Sequence, residues 1–370
     1  MSVPAEFSAV DRRWMARALE LARAGLYSAA PNPRVGCVIA KGETLLGEGH
    51  HARTGDAHAE VEALAAAGAA ARGATVYLGL EPCSHHGRTP PCAEALVGAG
   101  VARVIAAIED PNPRVSGRGL EILRAAGIEV GVGLLAEEAR ALNAGFISRM
   151  SLGRPRVTIK LAASLDGRTA MPSGESRWIT GAGARDDVQR LRGESCAVVT
   201  GVGTVLADDP RLDLRLDASL TRGRQPLRVV LDSDLRISAA ARTLQPPGAA
   251  LIFTRHAGSA AATALRETGA EVESLPVGAG GLDLAALLEQ LAGRECNEVL
   301  VEAGPTLAGA FAAAGLADRL VVYLAPVLMG AEARGMFTLP GLARMSERLQ
   351  WRFTDIRRLG GDLRITAEPA

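Results

Sequence analysis

His58-Ala59-Glu60, followed by Glu81-Pro82-Cys83-Ser84-His85-His86-Gly87-Arg88-Thr89-Pro90-Pro91-Cys92, is the part of this chain whose reading decides the fold. One histidine, one glutamate and two cysteines in this order suit a zinc-dependent deaminase. His58, Cys83 and Cys92 supply three ligands and leave the fourth tetrahedral position to water, the pattern of a catalytic rather than a structural site. A zinc ion there lowers the pKa of its water to about neutrality, so that hydroxide can attack an amino-bearing ring carbon. Glu60 stands two residues from His58 and is placed to carry protons from the water to the leaving ammonia. The general signature is H-x-E followed by P-C-x-x-C. Here eight residues, Ser84 to Pro91, separate the cysteines, which argues against the common cytidine and tRNA-adenosine types.

Working outward, the apolar run Ala74 to Leu80 reads as a strand that delivers Glu81-Pro82-Cys83 to a sheet edge. Ala59 to Ala71 and Ala93 to Ala99 read as helices that begin beside the two ligand clusters, where the helix dipole favours thiolates. Asp11 to Ala24 places Trp14, Met15, Ala18, Leu19 and Ala22 on one helical face. Strands Val35 to Ala40 and Val104 to Ile108 and helix Gly119 to Ala126 complete a layered α/β pattern.

A chain of 370 residues is too long for one ordinary domain. The Gly153-Arg154-Pro155 break near Met150 sets the expected boundary, with domains at 1–152 and 153–370. The second half reads as strands Arg156 to Leu161, Ala197 to Thr200, Leu227 to Asp232, Leu251 to Thr254 and Val299 to Glu302. Its helices are Ala182 to Leu191, Leu284 to Leu291 and Gly304 to Ala314. Leu320 to Leu324, Trp351 to Ile356 and Leu363 to Thr366 read as an antiparallel finish. Gly131-Val132-Gly133, Gly181-Ala182-Gly183 and Gly201-Val202-Gly203 each begin like a dinucleotide fingerprint, but none completes G-x-G-x-x-G in a strand-turn-helix setting. Gly304-Pro305-Thr306 follows a strand and opens a helix, so its backbone N–H groups are placed for a pyrophosphate; a plain strand-to-helix turn fits the same residues.

Lys plus Arg equals Asp plus Glu at 41 each, and aromatics make up 3% of the chain. This gives no broad attraction to nucleic acid or anionic membrane and few rings for base stacking. Met1 to Trp14 has no basic segment followed by an apolar one, and no apolar run is long enough to span a bilayer. Five cysteines are an odd count for a disulfide framework, so thiolates in a reducing cytoplasm are the expectation. Cys37, Cys196 and Cys296 read as core. His50 and His51 read equally as loop histidines or site residues, and His85, His86 and Arg88 as a substrate-facing loop. A structural zinc site, closed by His85 or His86, is the main alternative, though it leaves Glu60 without a task. Only Lys41 and Lys160 are lysines; Lys160 and Asp166 read as electrostatic help at a strand end or as an ion pair.

Pro31-Asn32-Pro33-Arg34-Val35-Gly36, the His58 and Cys83–Cys92 motifs, and Asp110-Pro111-Asn112-Pro113 together resemble the bifunctional riboflavin-biosynthesis deaminase/reductase family. Lys160 to Arg168, Ser173 to Thr180, Gly203 to Pro210 and Val301 to Thr306 resemble that family's reductase motifs, so the likeness runs over nearly the whole chain. It implies an α/β fold made of a cytidine-deaminase-like α/β/α domain and a dihydrofolate-reductase-like α/β domain. It implies zinc on His58, Cys83 and Cys92, with Glu60 as proton shuttle and Asn32 near the substrate. In the second half it implies NADPH at Ala162, Trp178, Thr204, Asp208, Ser233 and the run Gly304, Pro305, Thr306, Leu307, Ala308, Gly309 and Ala310. Ser176, Arg192, Leu212, Arg215 and Glu302 match substrate positions; Arg192 and Arg215 suit a phosphate because guanidinium binds it bidentately. The implied activities are deamination of a diamino-hydroxy-phosphoribosylamino-pyrimidine and NADPH-dependent reduction of its ribosyl group to ribityl, by a cytoplasmic homo-oligomer acting on a small phosphorylated pyrimidine, without nucleic acid or membrane. Two departures from the family pattern are Glu62, where His is frequent, and Ser28-Ala29-Ala30, where Thr is frequent. The rivals are a nucleic-acid base editor with an appended domain, and a chain in which one half serves only binding or assembly.

Overall fold

Ser8 starts the first helix, α1 (Ala9–Arg23): its hydroxyl accepts the Asp11 N–H at 3.1 Å, and the Asp11 carboxylate accepts the Ser8 N–H at 2.9 Å. This reciprocal cap removes two orphan donors. Trp14, Met15, Ala18, Leu19 and Ala22 form the buried face of α1, the face read from the sequence. The structure, a computed structural model, describes residues 7–84, 91–113, 115–278 and 280–370. The chain divides into two units, residues 1–153 and 154–370.

After α1 the first unit runs β1 (Gly36–Lys41), β2 (Thr44–His50), α2 (Ala59–Ala67), β3 (Thr75–Leu78), α3 (Cys92–Ala99), β4 (Arg103–Ala106), α4 (Arg118–Ala125), β5 (Glu129–Val132), α5 (Ala136–Leu142) and α6 (Ala144–Leu152). Its sheet has the order β2-β1-β3-β4-β5. β1 pairs antiparallel with β2 and β3, whereas β3, β4 and β5 are parallel. The parallel strands therefore open their carboxyl ends at one edge, which is where α/β sheets place ligands. Helix α2 stops at Ala67, shorter than the sequence pattern suggested, and a 3₁₀ turn over Gly68–Ala71 finishes the segment.

β2 is an element the sequence reading missed, because Gly47, Glu48 and Gly49 have low strand propensity. Packing requires those glycines. A Cβ on Gly47 would stand 2.3 Å from the Ala63 carbonyl oxygen, and one on Gly49 2.6 Å from that of Ala59. The edge strand thus lies directly on α2 and fixes the helix whose first turn carries His58 and Glu60.

The second unit runs β6 (Arg156–Ser164), β7 (Arg168–Ala170), α7 (Ala182–Glu194), β8 (Ala197–Gly201), α8 (Val202–Asp208), α9 (Ala218–Thr221), β9 (Leu227–Leu231), β10 (Ala250–Thr254), α10 (Ala260–Arg266), β11 (Glu271–Ser274), β12 (Val277–Gly278), β13 (Gly281–Leu282), α11 (Leu284–Gly293), β14 (Glu298–Glu302), α12 (Pro305–Ala313), β15 (Arg319–Ala325), β16 (Arg334–Gly335), β17 (Trp351–Leu359) and β18 (Asp362–Pro369). Nine strands form one sheet in the order β11-β10-β9-β8-β14-β6-β15-β18-β17. It is parallel from β11 to β15, and β18 and β17 close it antiparallel, the finish expected from the sequence. The central strands carry the near-continuous apolar runs of a sheet covered on both faces: Val157, Ile159 and Leu161 on β6, Ala197 and Val199 on β8, Val299 and Val301 on β14. Cys37 and Cys296 are buried in the cores of the first and second units; Cys196 is half-buried, its Sγ accepting the Asn297 N–H.

One local expectation changes. Gly201 ends β8 and opens α8 directly, so Gly201-Val202-Gly203 does sit at a strand-to-helix turn; only the third glycine of the fingerprint is missing, its place being taken by Leu206.

Candidate active sites

His58 is the N-cap residue of α2 and Cys92 the first residue of α3, while Cys83 follows the end of β3. Three separate elements therefore bring their ligand atoms to within 4.8 Å of one another. His58 Nδ1 lies 3.3 Å from Cys92 Sγ and 3.7 Å from Cys83 Sγ. Ideal tetrahedral Zn–N and Zn–S bonds require an N···S edge of about 3.6 Å, so the observed pair brackets the value for zinc. The thiols are electronically prepared for it. Hydrogen bonding with Cys92 holds the Cys83 thiol well below its usual range, at about 4, with further help from His58 and the Cys92 N–H. The same bond pushes Cys92 upward, so the pair shares one proton. A zinc ion held there would take both sulfurs as thiolates and displace that proton.

Glu60, in the first turn of α2, is 4% exposed. Burial raises its pKa above the ordinary carboxylate range, a shift that suits a carboxylate to accepting a proton. The wall beside it contains a residue the sequence left undecided. His51 is buried, its ring centroid 5.5 Å from that of His58 in an edge-to-face arrangement. His51 Nδ1 lies 3.1 Å from the Ala57 carbonyl oxygen, so it must donate there. Nε2 is then the acceptor, and it takes a hydrogen bond from Asn32 Nδ2 at 3.0 Å. Burial lowers the His51 pKa and favours this neutral form. The Asn32 amide is thereby turned with a fixed sense, which no local sequence pattern could announce. Both departures from the family pattern serve as local ties: Glu62 accepts the His50 N–H at 3.1 Å, and Ser28 donates to the Ala52 carbonyl at 2.6 Å. The loop expected from His85, His86 and Arg88 lies outside the described residues.

In the second unit a cavity of about 2040 Å³ opens at the carboxyl ends of the parallel strands. Ala162, Trp178, Thr204, Asp208, Ser233, Gly304, Pro305, Thr306, Leu307, Gly309 and Ala310 all line it, as do Ser176, Arg192, Leu212, Arg215 and Glu302. Ala308 does not: it faces the core with no exposure. The other six residues of the run line the cavity, whereas the 3.6-residue period of the helix carries Ala308 to its core face. Trp178 is 73% exposed, with the Arg185 guanidinium 4.7 Å from its ring centroid, and so offers a flat apolar surface at the rim. Ser176 Oγ donates to Asp208 Oδ1 at 3.1 Å, joining a position matched to substrate with one matched to cofactor.

The start of α12 is only partly free for a phosphate. Gly304 donates its N–H to Thr204 Oγ1 at 3.2 Å, and Pro305 has none to give. Thr306 and Leu307 remain as first-turn donors. The helix head still faces a space of dinucleotide size flanked by a second helix head, that of α8, so the residues fit an extended nicotinamide cofactor.

Arg192 and Arg215 diverge. Arg192 is buried, with three of its five N–H donors engaged: Nε and Nη2 donate to Glu302 at 2.5 and 3.1 Å, and Nη1 to the Asp213 carbonyl at 2.9 Å. Its guanidinium holds Glu302 and has little left for a phosphate. Arg215 uses Nη1 on Asp213 at 2.6 Å but keeps its side chain 59% exposed, so it retains the free face a phosphate needs. Lys160 Nζ lies 3.3 Å from Glu302, which makes it a third member of this cluster. Asp166 is not its partner; it accepts from Ser164 Oγ and from the N–H groups of Met329 and Gly330.

A His-Cys-Cys metal set beside a buried glutamate, joined in one chain to a dinucleotide-sized α/β cavity, defines a zinc-dependent deaminase coupled to a nicotinamide-dependent reductase. Residues 8–108 match the cytidine and deoxycytidylate deaminase zinc-binding region, and residues 155–365 match the RibD C-terminal domain. The riboflavin biosynthesis protein RibD of Escherichia coli K12 is 51% identical over 364 residues, covering 95% of this chain and 98% of that one. The Haemophilus influenzae protein of the same name is 45% identical, covering 98% and 99%. Among solved structures, Acinetobacter baumannii RibD superposes with a TM-score of 0.91 at 45% identity, covering 97% and 99%. A diaminohydroxyphosphoribosylaminopyrimidine deaminase/5-amino-6-(5-phosphoribosylamino)uracil reductase from Thermotoga maritima gives 0.85 at 33%, covering 98% and 99%. The chain belongs to the RibD family, the bifunctional deaminase/reductases of riboflavin biosynthesis.

Proposed function

We propose that residues 1–152 hydrolytically deaminate 2,5-diamino-6-(5-phosphoribosylamino)pyrimidin-4-one. Residues 153–370 then reduce the ribosyl group of 5-amino-6-(5-phosphoribosylamino)uracil to ribityl with NADPH. The observation that carries this is the pairing of the His58-Cys83-Cys92 cluster and buried Glu60 with a second-unit cavity lined by sixteen of the seventeen positions matched to cofactor or substrate.

One zinc ion held by His58, Cys83 and Cys92 would supply the positive charge that makes water nucleophilic near neutral pH. Glu60 takes the proton from the attacking water on a carboxylate oxygen and returns it to the amino group, which leaves as ammonia. His51 keeps the Asn32 amide oriented for the ring. In the second unit, bound NADPH would supply the hydride. The chain's task there is to align the two partners and exclude water. Thr204 fixes the head of α12 through Gly304, Trp178 presents its ring at the rim, Arg215 takes the substrate phosphate, and Arg192 with Lys160 holds the Glu302 carboxylate.

The proposal places the enzyme in the cytoplasm, where reduced thiols persist, as a homo-oligomer acting on a small phosphorylated pyrimidine and not on nucleic acid. No helix among the described residues is long and apolar enough to cross a membrane. Zinc-loaded protein incubated with the diaminopyrimidine substrate should release ammonia without NADPH, and oxidise NADPH only after deamination. No ammonia from fully metal-loaded protein would require a structural zinc site or a different substrate.

A further inference from the structure

Glu81 is a buried carboxylate that this chemistry leaves without a role. It is 3% exposed, three residues past the end of β3 and two before Cys83. Its oxygens accept three backbone N–H groups from one segment: Asp110 at 3.0 Å and Gly117 at 2.9 Å on Oε2, and Gly119 at 2.9 Å on Oε1. Its own N–H donates to the Ile108 carbonyl at 3.0 Å. Gly119 is pressed against the next residue, for a Cβ there would stand 2.1 Å from the Pro82 carbonyl oxygen. The Cys83 carbonyl, in turn, accepts the Ala93 N–H of α3 at 3.2 Å. Glu81-Pro82-Cys83 is thus stitched on one side to the helix carrying Cys92 and on the other to the segment that follows β4.

β3 and β4 are parallel neighbours. The segments leaving their carboxyl ends border the same edge, where a ligand of an α/β sheet sits. A ring brought to the metal cluster therefore meets the segment after β4, which begins Asp110-Pro111-Asn112-Pro113. A carboxylate accepting several N–H groups holds a loop in a single conformation, because charge-assisted bonds are short and directional. We propose that Glu81 is a positioning residue of the deaminase half: by holding the N–H groups of Asp110, Gly117 and Gly119 it fixes these three residues in one wall of the substrate site, at a set distance from Cys83. It touches neither metal nor substrate and acts through backbone it holds. The inference rests on reading the first unit as the deaminase.

The test uses the full-length, zinc-loaded chain with Glu81→Gln, which keeps the shape but turns one acceptor into a donor facing an N–H. Amide exchange at Asp110, Gly117 and Gly119 should quicken at least tenfold. The deaminase KM should rise tenfold or more with kcat changed less than threefold, while zinc stays at one per chain and the reductase constants are unmoved. If Glu81→Gln fails to accumulate, Gly119→Ala, which pushes the same segment off the Pro82 carbonyl, should give the same rise in KM. Faster exchange with an unchanged KM would overturn the positioning role, and so would joint loss of zinc and kcat, which would make Glu81 a support for the metal site. Wild-type protein that released no ammonia would overturn the deaminase reading, and this inference with it, before any variant was compared.

Discussion

In the first unit, three side chains with metal chemistry converge from three elements to within 4.8 Å. In the second, a cavity of about 2040 Å³ is shaped largely by small residues and backbone, such as Ala162, Gly304, Gly309 and Ala310. A site of the first kind is concentrated: each ligand is irreplaceable and each is announced by its own residue type. A site of the second kind is distributed: the Lys160–Glu302–Arg192 cluster in its wall is electrostatic and acts through its own ion pairs. The two should consequently fail in different ways.

The sharpest contrast comes from Cys92→Ala. Removing one of three ligands should empty the metal site and reduce deamination below detection, while NADPH oxidation with the deaminated substrate continues at the wild-type rate. Zinc content measured beside both rates checks this, and a parallel loss of reductase activity would break the comparison.

Arg192→Ala should act on stability rather than on one chemical step. It leaves the Glu302 carboxylate buried with Lys160 alone, and breaking a buried pair in this way costs about 3–5 kcal/mol. Urea unfolding followed on the reductase half should show the change, with the zinc site intact. The same cluster sets a pH dependence. Burial alone would raise the Glu302 pKa from 4.5, but Arg192 and then Lys160 outweigh it and hold the group at about 2. A depressed carboxylate contributes stability that is fully present above the unfolded value and is lost as pH falls toward the folded one. The stability gap between wild type and Glu302→Gln should therefore be constant above pH 4.5 and narrow between there and pH 2. A gap that widened on acidification would contradict the assignment.

Gly309→Ala should have the smallest effect. A Cβ there would stand 2.1 Å from the Thr338 carbonyl oxygen, forcing the segment at Thr338 and Pro340 away from α12 and disturbing the cavity wall. Overpacking of this kind costs about 1–3 kcal/mol. A several-fold weaker NADPH affinity by fluorescence titration, with unchanged ammonia release, is the expected outcome.

The same contrast explains what could be read from the sequence. The convergence of His58, Cys83 and Cys92 and the buried Glu60 were legible because His, Cys and Glu at those spacings have few other uses, and the helices and strands around them show clear apolar periodicity. β2 was not legible, since Gly47 and Gly49 answer to the approach of α2 rather than to strand propensity. α8 was hidden because it has seven residues and begins with Gly201-Val202-Gly203, which reads as loop. The ion pair of Arg192 depends on Glu302, 110 residues away, and no local pattern announces it. Ala308 belongs to a run matched as a whole to the cofactor, but helix geometry turns it into the core. His51 acquires its meaning only from Asn32 and Ala57, brought to its two ring nitrogens by the fold.

If one chain carries two sites that work independently, a change confined to one of them leaves the other untouched. Glu60→Gln tests it most directly, because it leaves all three metal ligands in place and removes only the proton carrier. The variant should keep its zinc, lose deamination by roughly 10²–10⁴-fold, and reduce 5-amino-6-(5-phosphoribosylamino)uracil with NADPH at the wild-type rate. Deamination that survived the substitution, or reductase activity that fell with it, would contradict the account.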